Sequence, residues 1–213
     1  MIDWDTALPP ALFAPAFTLW GGAASWLEVV AFALAVAMVL CNLREIHWGW
    51  PLAILSSALY ALLFAKSRLY GETALQLLFI AMALWGWWQW LRGRADATDG
   101  HALRIARLSP RGWALSLGAT ALLWPATALF LRHATDTDVP WWDGFTTALS
   151  VVGQVLLGRK LLENWLAWLV VNLVSVGLFA YKGLWLTVVL YALFAALSVA
   201  GWRAWHARLL TAR

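Results

Sequence analysis

The chain has a single cysteine, Cys41, among 213 residues, and only 12% of its residues are charged. Soluble domains carry about 25% charged residues. One cysteine excludes an internal disulfide and a thiolate metal cluster. Scarce charge beside 63% apolar residues and a mean hydropathy of +0.72 excludes an ordinary soluble enzyme, a small secreted domain and a disordered tail, because a water-soluble fold of this size could not hide so much apolar surface. No Gly-rich phosphate loop, G-x-S-x-G elbow or H-E-x-x-H motif is present, so no familiar enzyme class is indicated and no cofactor is expected. His47, His101, His133 and His206 fall in expected loops or tails without metal-ligand spacing. The first five residues carry two acids and no Lys or Arg, so no signal peptide is expected.

What remains is an integral membrane protein built of helices. A helix needs about 20 mostly apolar residues to cross the hydrocarbon. Seven stretches qualify, near 20–41, 48–65, 70–90, 112–131, 142–158, 163–181 and 185–205. Leu, Ala and Trp outnumber β-branched residues, which argues against a barrel. With seven spans, eleven of the 15 Lys and Arg fall on one face: Arg44, Arg92, Arg94, Arg104, Arg107, Arg111, Arg159, Lys160, Arg203, Arg208 and Arg213. Lys66, Arg68, Arg132 and Lys182 fall on the other. The positive-inside rule makes the first face cytoplasmic, with the N-terminus outside. Basic residues spread in this way indicate topology rather than a nucleic-acid partner. The linker 91–111 is expected to be a solvated topogenic loop.

Sliding the sequence by 115 residues lays 26–90 on 141–205 without a gap. Identities include Trp26/Trp141, Arg44/Arg159, Trp50/Trp165, Gly86/Gly201, Trp87/Trp202 and Trp90/Trp205. Matches among Trp, Gly and Arg in one register are not a by-product of a Leu-rich composition. An odd-numbered repeat needs an extra span to restore its orientation. The expected architecture is therefore 3+1+3: a first three-helix repeat at 20–90, a basic linker and connector helix at 91–134, a second parallel repeat at 135–205, and a tail at 206–213. Transporters of this kind bind ligands between their repeats near midplane.

Few polar residues lie at mid-depth, and each is expected to face the bundle interior. They include Ser56, Ser57, Gln76, Thr146, Thr147, Gln154, Asn172 and Ser175. Any one of them is equally explained by an interhelical hydrogen bond, worth about 0.6 kcal/mol on average. Trp165, Trp168 and Asn172, continued by Ser175, stand at steps of three and four and share a helical face. Two indoles over an amide form a slot for a flat heteroaromatic ligand, and indole faces also attract cations. Of the 18 Trp, Trp20, Trp26, Trp88, Trp90, Trp141, Trp202 and Trp205 sit near span ends and are expected in the interfacial belt. Glu163 opens the sixth span at a helix N-terminus, where a carboxylate is favoured.

The sequence resembles the Pnu-type vitamin transporters. The resemblance rests on Trp48-Gly-Trp50-Pro51, Leu69-Tyr70, Leu75-Gln76, Trp85-Gly86-Trp87-x-x-Trp90, Arg159-Lys160-x-x-Glu163-Asn164-Trp165-x-x-Trp168-x-x-x-Asn172, Tyr181-Lys182-Gly183-Leu184, Thr187 and Leu190-Tyr191. It covers about residues 25–205. It implies a seven-helix, full-length relative of the SWEET sugar transporters in the inner membrane. It further implies a homotrimer, facilitated diffusion, and trapping of the vitamin by cytoplasmic phosphorylation. Nicotinamide riboside is the substrate implied first; thiamine and riboflavin carriers share the scaffold. Trp165, Trp168 and Asn172 would line the site, with Gln76 and Tyr191 as further members; Gln154 joins them from the mid-depth polar set. A sugar facilitator or channel and a non-transporting membrane scaffold are the readings from other classes.

Overall fold

A computed structural model describes residues 10–19, 22–66, 70–95, 103–135, 137–181 and 185–211. Lys182, Arg68 and the pair Leu69/Leu184 lie outside these. Among the described residues seven helices follow a short 3-10 turn (Pro10–Phe13) and two strands, β1 (Pro15–Leu19) and β2 (Gly22–Ser25). The helices are α1 (Trp26–Leu43), α2 (Gly49–Lys66), α3 (Tyr70–Ala95), α4 (Pro110–Ala134), α5 (Pro140–Gly158), α6 (Asn164–Tyr181) and α7 (Trp185–Thr211). By length and composition α1, α3, α4, α6 and α7 are apolar enough to cross a membrane.

The first span expected near 20–41 is corrected at its start. Pro15–Leu19 pairs antiparallel with Gly22–Ser25, with Phe17 opposite Ala24. Ser25 then sets the beginning of α1 through a capping box: its hydroxyl accepts the Glu28 N–H at 3.2 Å, and its own N–H donates to the Glu28 carboxylate at 2.9 Å. The two bonds satisfy donors that a helix N-terminus otherwise leaves open. At the other end of the chain, the tail expected at 206–213 is helical through Thr211. His206 therefore belongs to α7, stacked on Trp202 with an interplanar angle of 6°.

Helices α1, α2 and α3 pack in sequence order, as do α5, α6 and α7; α3 then meets α5 and α1 meets α7, closing a circuit of six helices. Helix α4 stands outside that circuit against α5, with 6% of its most apolar window buried. Close approach there depends on small residues, since a methyl group on Gly144 would overlap the Ala128 backbone. Thr127 Oγ1 donates to the Gly144 carbonyl at 3.0 Å, and Trp124 Nε1 to the Trp141 carbonyl at 2.8 Å.

The buried core gathers four indoles at one end of this circuit. Trp50 meets Trp90 edge-on at 5.5 Å, Trp90 lies 6.4 Å from Trp205, and Trp205 meets Trp165 edge-on at 5.5 Å. Trp90 and Trp205 are 2% and 0% exposed, which corrects their expected place in the interfacial belt. Each indole N–H has a buried carbonyl to satisfy, so it turns inward. Trp26, Trp88 and Trp141 are exposed, as belt residues would be.

Several contacts come in pairs that share the 115-residue offset. Trp90 Nε1 donates to the Leu157 carbonyl and Trp205 Nε1 to the Asn42 carbonyl, both at 3.2 Å. Gly86 lies under Trp50 as Gly201 lies under Trp165, and a methyl group at either glycine would overlap the indole.

Candidate functional site

Helix α6 carries the candidate stripe between α5 and α7. Against α7 the contacts follow an antiparallel register: Trp165 packs on Gly201 and Trp205, the Asn172 amide donates to Ser198 Oγ at 3.2 Å, and Phe179 stacks on Tyr191 at 5.1 Å. Ser198 in turn donates to the Phe194 carbonyl at 2.8 Å. With that donation made, its oxygen is left facing the amide and fixes which way Asn172 points. Against α5 the contact is Trp168, whose indole edge lies about 3.4 Å from the position of a Cβ on Gly153.

The expected slot of two parallel indoles is therefore divided. Trp165 is 3% exposed and committed to the buried quartet, whereas Trp168 is half-buried. Asn172, Ser175 and Gln154 are buried, at 4%, 3% and 8% exposure. Tyr191 is half-buried, stacked on Phe179 and edge-on to Phe194 at 6.1 Å. Gln76 is half-buried on α3, which packs against α5 rather than α6. Trp168, Asn172 and Tyr191 thus share the α6 and α7 side of the bundle with Gln154 on α5, and the described contacts do not bring Gln76 to them.

Two residues escaped the sequence reading. Ser198 lies on a stripe of α7 with Tyr191, Phe194, Gly201 and Trp205, spaced at steps of three, four, three and four, and that spacing was available as a signal. Gly153 had no such signal; its importance lies in what an added Cβ would meet.

The opposite side of α6 borders an apolar cleft of about 450 Å³ lined by Trp142, Leu173, Val174, Gly177, Leu178 and Tyr181. Its described lining carries no amide or carboxylate, whereas the opposite face of α6 carries the Asn172 amide. Among the described residues no group of three His, Cys, Asp or Glu side chains is placed to hold a metal.

Charge is concentrated just past the ends of α1 and α5. Glu45 and Lys160 occupy the residue after each helix cap with φ of 57° and 52°. Each helix ends in the same two bonds: Glu45 N–H to the Asn42 carbonyl with Ile46 N–H to Cys41, and Lys160 N–H to the Leu157 carbonyl with Leu161 N–H to Leu156. This is a Schellman ending, whose left-handed position usually belongs to glycine. Lys160 Nζ bonds the Glu45 carboxylate at 2.9 Å and lies 4.8 Å from the Trp90 ring, and Arg208 reaches the other carboxylate oxygen at 2.7 Å.

The second half of the linker does not behave as the solvated loop that was expected. Residues 103–109 lie along the α5–α6 turn: Ala106 N–H donates to the Lys160 carbonyl, Leu162 N–H to the Ala106 carbonyl, and Leu108 N–H to the Glu163 carboxylate at 2.9 Å. Glu163 is 6% exposed because the strap covers it.

Residues 25–207 match the family described as Nicotinamide mononucleotide transporter. The chain belongs to that family. As a member of the nicotinamide mononucleotide transporter family it is a multi-pass membrane transporter rather than an enzyme, and it is PnuC-like. It is 30% identical over 198 residues, 92% of each chain, to the riboflavin/roseoflavin transporter RibM of Streptomyces davaonensis. It is 26% identical over 204 residues, 85% of each chain, to the nicotinamide riboside transporter PnuC of Escherichia coli. Its fold is similar to a crystal structure of the vitamin B3 transporter PnuC, with a TM-score of 0.68 at 24% identity, covering 85% of this chain and 80% of that one.

Proposed function

We propose that this chain carries nicotinamide riboside across the inner membrane by facilitated diffusion, with cytoplasmic phosphorylation trapping the product. The observation that carries this reading is the half-buried Trp168 beside an Asn172 whose amide is oriented by Ser198. An indole face and a fixed amide match a flat, cationic heteroaromatic with a polar carboxamide. Seven spans in a 3+1+3 order are part of the proposal, with two three-helix halves rocking about this site. The contact pairs at the 115-residue offset support it. So does the asymmetry between the halves, because the positions matching Trp168, Asn172, Ser198 and Gln154 are Ala53, Ser57, Ala83 and Val39. Recognition then lies in the second half while the first supplies the moving wall. The end bearing Glu45, Lys160 and Arg208 faces the cytoplasm by its excess of basic residues, and the assembly is a homotrimer.

Riboflavin is the second reading, favoured by the 30% identity to RibM. Calorimetry and intrinsic Trp fluorescence with nicotinamide riboside, riboflavin and thiamine separate them. Saturable binding of nicotinamide riboside alone is expected; binding of riboflavin or thiamine alone overturns the substrate, and silence from all three overturns the ligand class. Counterflow in proteoliposomes without an ion gradient tests the uncoupled mechanism. Abolished uptake by Trp168→Ala and Asn172→Ala at normal expression would exclude a non-transporting scaffold.

A further inference from the structure

Glu45 is held between two cations from the opposite half of the molecule. Lys160 lies at the end of α5 and Arg208 lies on α7, while Glu45 follows α1. Directly beneath them the indole quartet spans the same boundary, with Trp90 and Trp205 each bonded to a carbonyl of the other half. Every one of these contacts must break if the halves are to separate at this end.

The closed arrangement is also under internal tension. Two charged residues occupy left-handed positions that glycine fills more cheaply, a kind of outlier that gathers at functional sites. The indole N–H groups of Trp50 and Trp165 and the amide oxygens of Asn42 and Asn164 are buried there without partners. Unpaired buried polar groups disfavour the state that buries them and gain water when it opens. A closed end weakened in this way and held by a few charged bonds is a two-state element, as a gate requires.

We propose that Glu45 and Lys160 form a latch that keeps the cytoplasmic end of the pathway shut, and that its release delivers substrate inward. Arg208 reinforces the Glu45 side. The strap from the linker steadies the Lys160 side, since the Ala106 N–H holds the Lys160 carbonyl. The proposal rests on the two-half transport reading above.

The test is a distance measurement that needs no substrate. Arg44 and Arg159 are exposed, cap α1 and α5, and flank the latch. Spin labels at Arg44→Cys and Arg159→Cys, in a Cys41→Ser background, report separation of the two ends by pulsed electron resonance in nanodiscs. Glu45→Gln is expected to raise the ratio of long to short distances by up to about fivefold, as loss of partly exposed ion pairs implies. Lys160→Gln is expected to act in the same direction and reads the pair from its other side should Glu45→Gln fail to accumulate. Lys160→Arg is expected to keep the short distance, and the double Gln variant to do no more than Glu45→Gln. Unchanged distances in both Gln variants overturn the latch, as does an equal shift in Lys160→Arg. A distance shift in a protein that binds none of the three vitamins would leave the latch standing and remove only the substrate reading.

Discussion

Trp90 and Trp205 make matching hydrogen bonds across the boundary between the two halves, each indole N–H reaching a backbone carbonyl of the opposite half at 3.2 Å. The acceptors, Leu157 and Asn42, stand in the same offset as the donors. Replacing either indole by Phe keeps most of the apolar contact but removes one hydrogen bond to a carbonyl that still accepts the backbone N–H of Lys160 or Glu45. Trp90→Phe and Trp205→Phe are each expected to cost about 1 kcal/mol, by equal amounts, in thermal unfolding of the detergent-solubilised protein. A cost confined to one of them would show that the two bonds are not equivalent.

Glycine at positions 86 and 201 is a steric requirement. A methyl group there would enter the rings of Trp50 and Trp165, and rings locked in a packed quartet cannot retreat. Gly86→Ala and Gly201→Ala are expected to lose roughly 1–3 kcal/mol by overpacking. Gly118 faces open space, so Gly118→Ala serves as the control, with an unchanged or slightly raised melting temperature.

In the proposed site Ser198 positions Asn172, whose amide donates to its hydroxyl oxygen. Removing its oxygen leaves the amide free to rotate without altering the groups proposed to face the substrate. Ser198→Ala is expected to raise KM several-fold with a smaller effect on maximal rate, whereas Asn172→Ala abolishes uptake. Once Asn172 is gone, adding Ser198→Ala should change nothing further. Additive losses would assign Ser198 a direct role.

Glu45 also confers a pH dependence of definite sign. Partial burial raises the pKa of its carboxyl, but hydrogen bonds and charge from Lys160 and Arg208 outweigh burial and hold it below the ordinary value of 4.5. A depressed folded-state pKa means the stabilisation is complete above the unfolded value and is lost as pH falls through the folded one. The difference in melting temperature between wild type and Glu45→Gln should therefore stay constant from about pH 8 to about pH 5 and narrow below 4.5. A difference that shrinks already near neutrality would contradict the ion pairing.

The strap is tested by removing one donor. Ala106→Pro deletes the N–H that holds the Lys160 carbonyl. It is expected to lower thermal stability by about 1 kcal/mol and to leave vitamin binding intact, since the strap's hydrogen bonds go to Lys160, Leu162 and Glu163 and not to Trp168 or Asn172. Loss of binding would instead tie the linker to the site.

Apolar runs separated by Pro, Gly and charge made the seven helices legible in the sequence, because hydrophobic length is a local property. The shared face of Trp165, Trp168, Asn172 and Ser175 was legible for the same reason, since helical steps of three and four need no knowledge of neighbours. Where Trp165 and Trp168 separate was not. Both lie on one stripe, but Trp165 meets Gly201 and is sealed in the core, while Trp168 meets Gly153 and stays half-buried. The strands before α1 were missed because Phe17, Leu19 and Ala23 are as apolar as the helix that follows. Pairing and Ser25 capping, not hydropathy, set that boundary.

By itself, then, the sequence determined a helical membrane protein with an internal 115-residue offset and one polar helix face, since composition and periodicity act along the chain. Only the tertiary structure decided which indoles turn inward and which acid meets which base. Trp90 and Trp205 lie near helix ends and look interfacial until carbonyls 67 and 163 residues away come within reach. Glu45 and Lys160 look like ordinary loop charges until packing of α1 on α7 and of α3 on α5 brings two helix ends together. Burial and pairing depend on what arrives from elsewhere in the fold, and no local pattern carries that information.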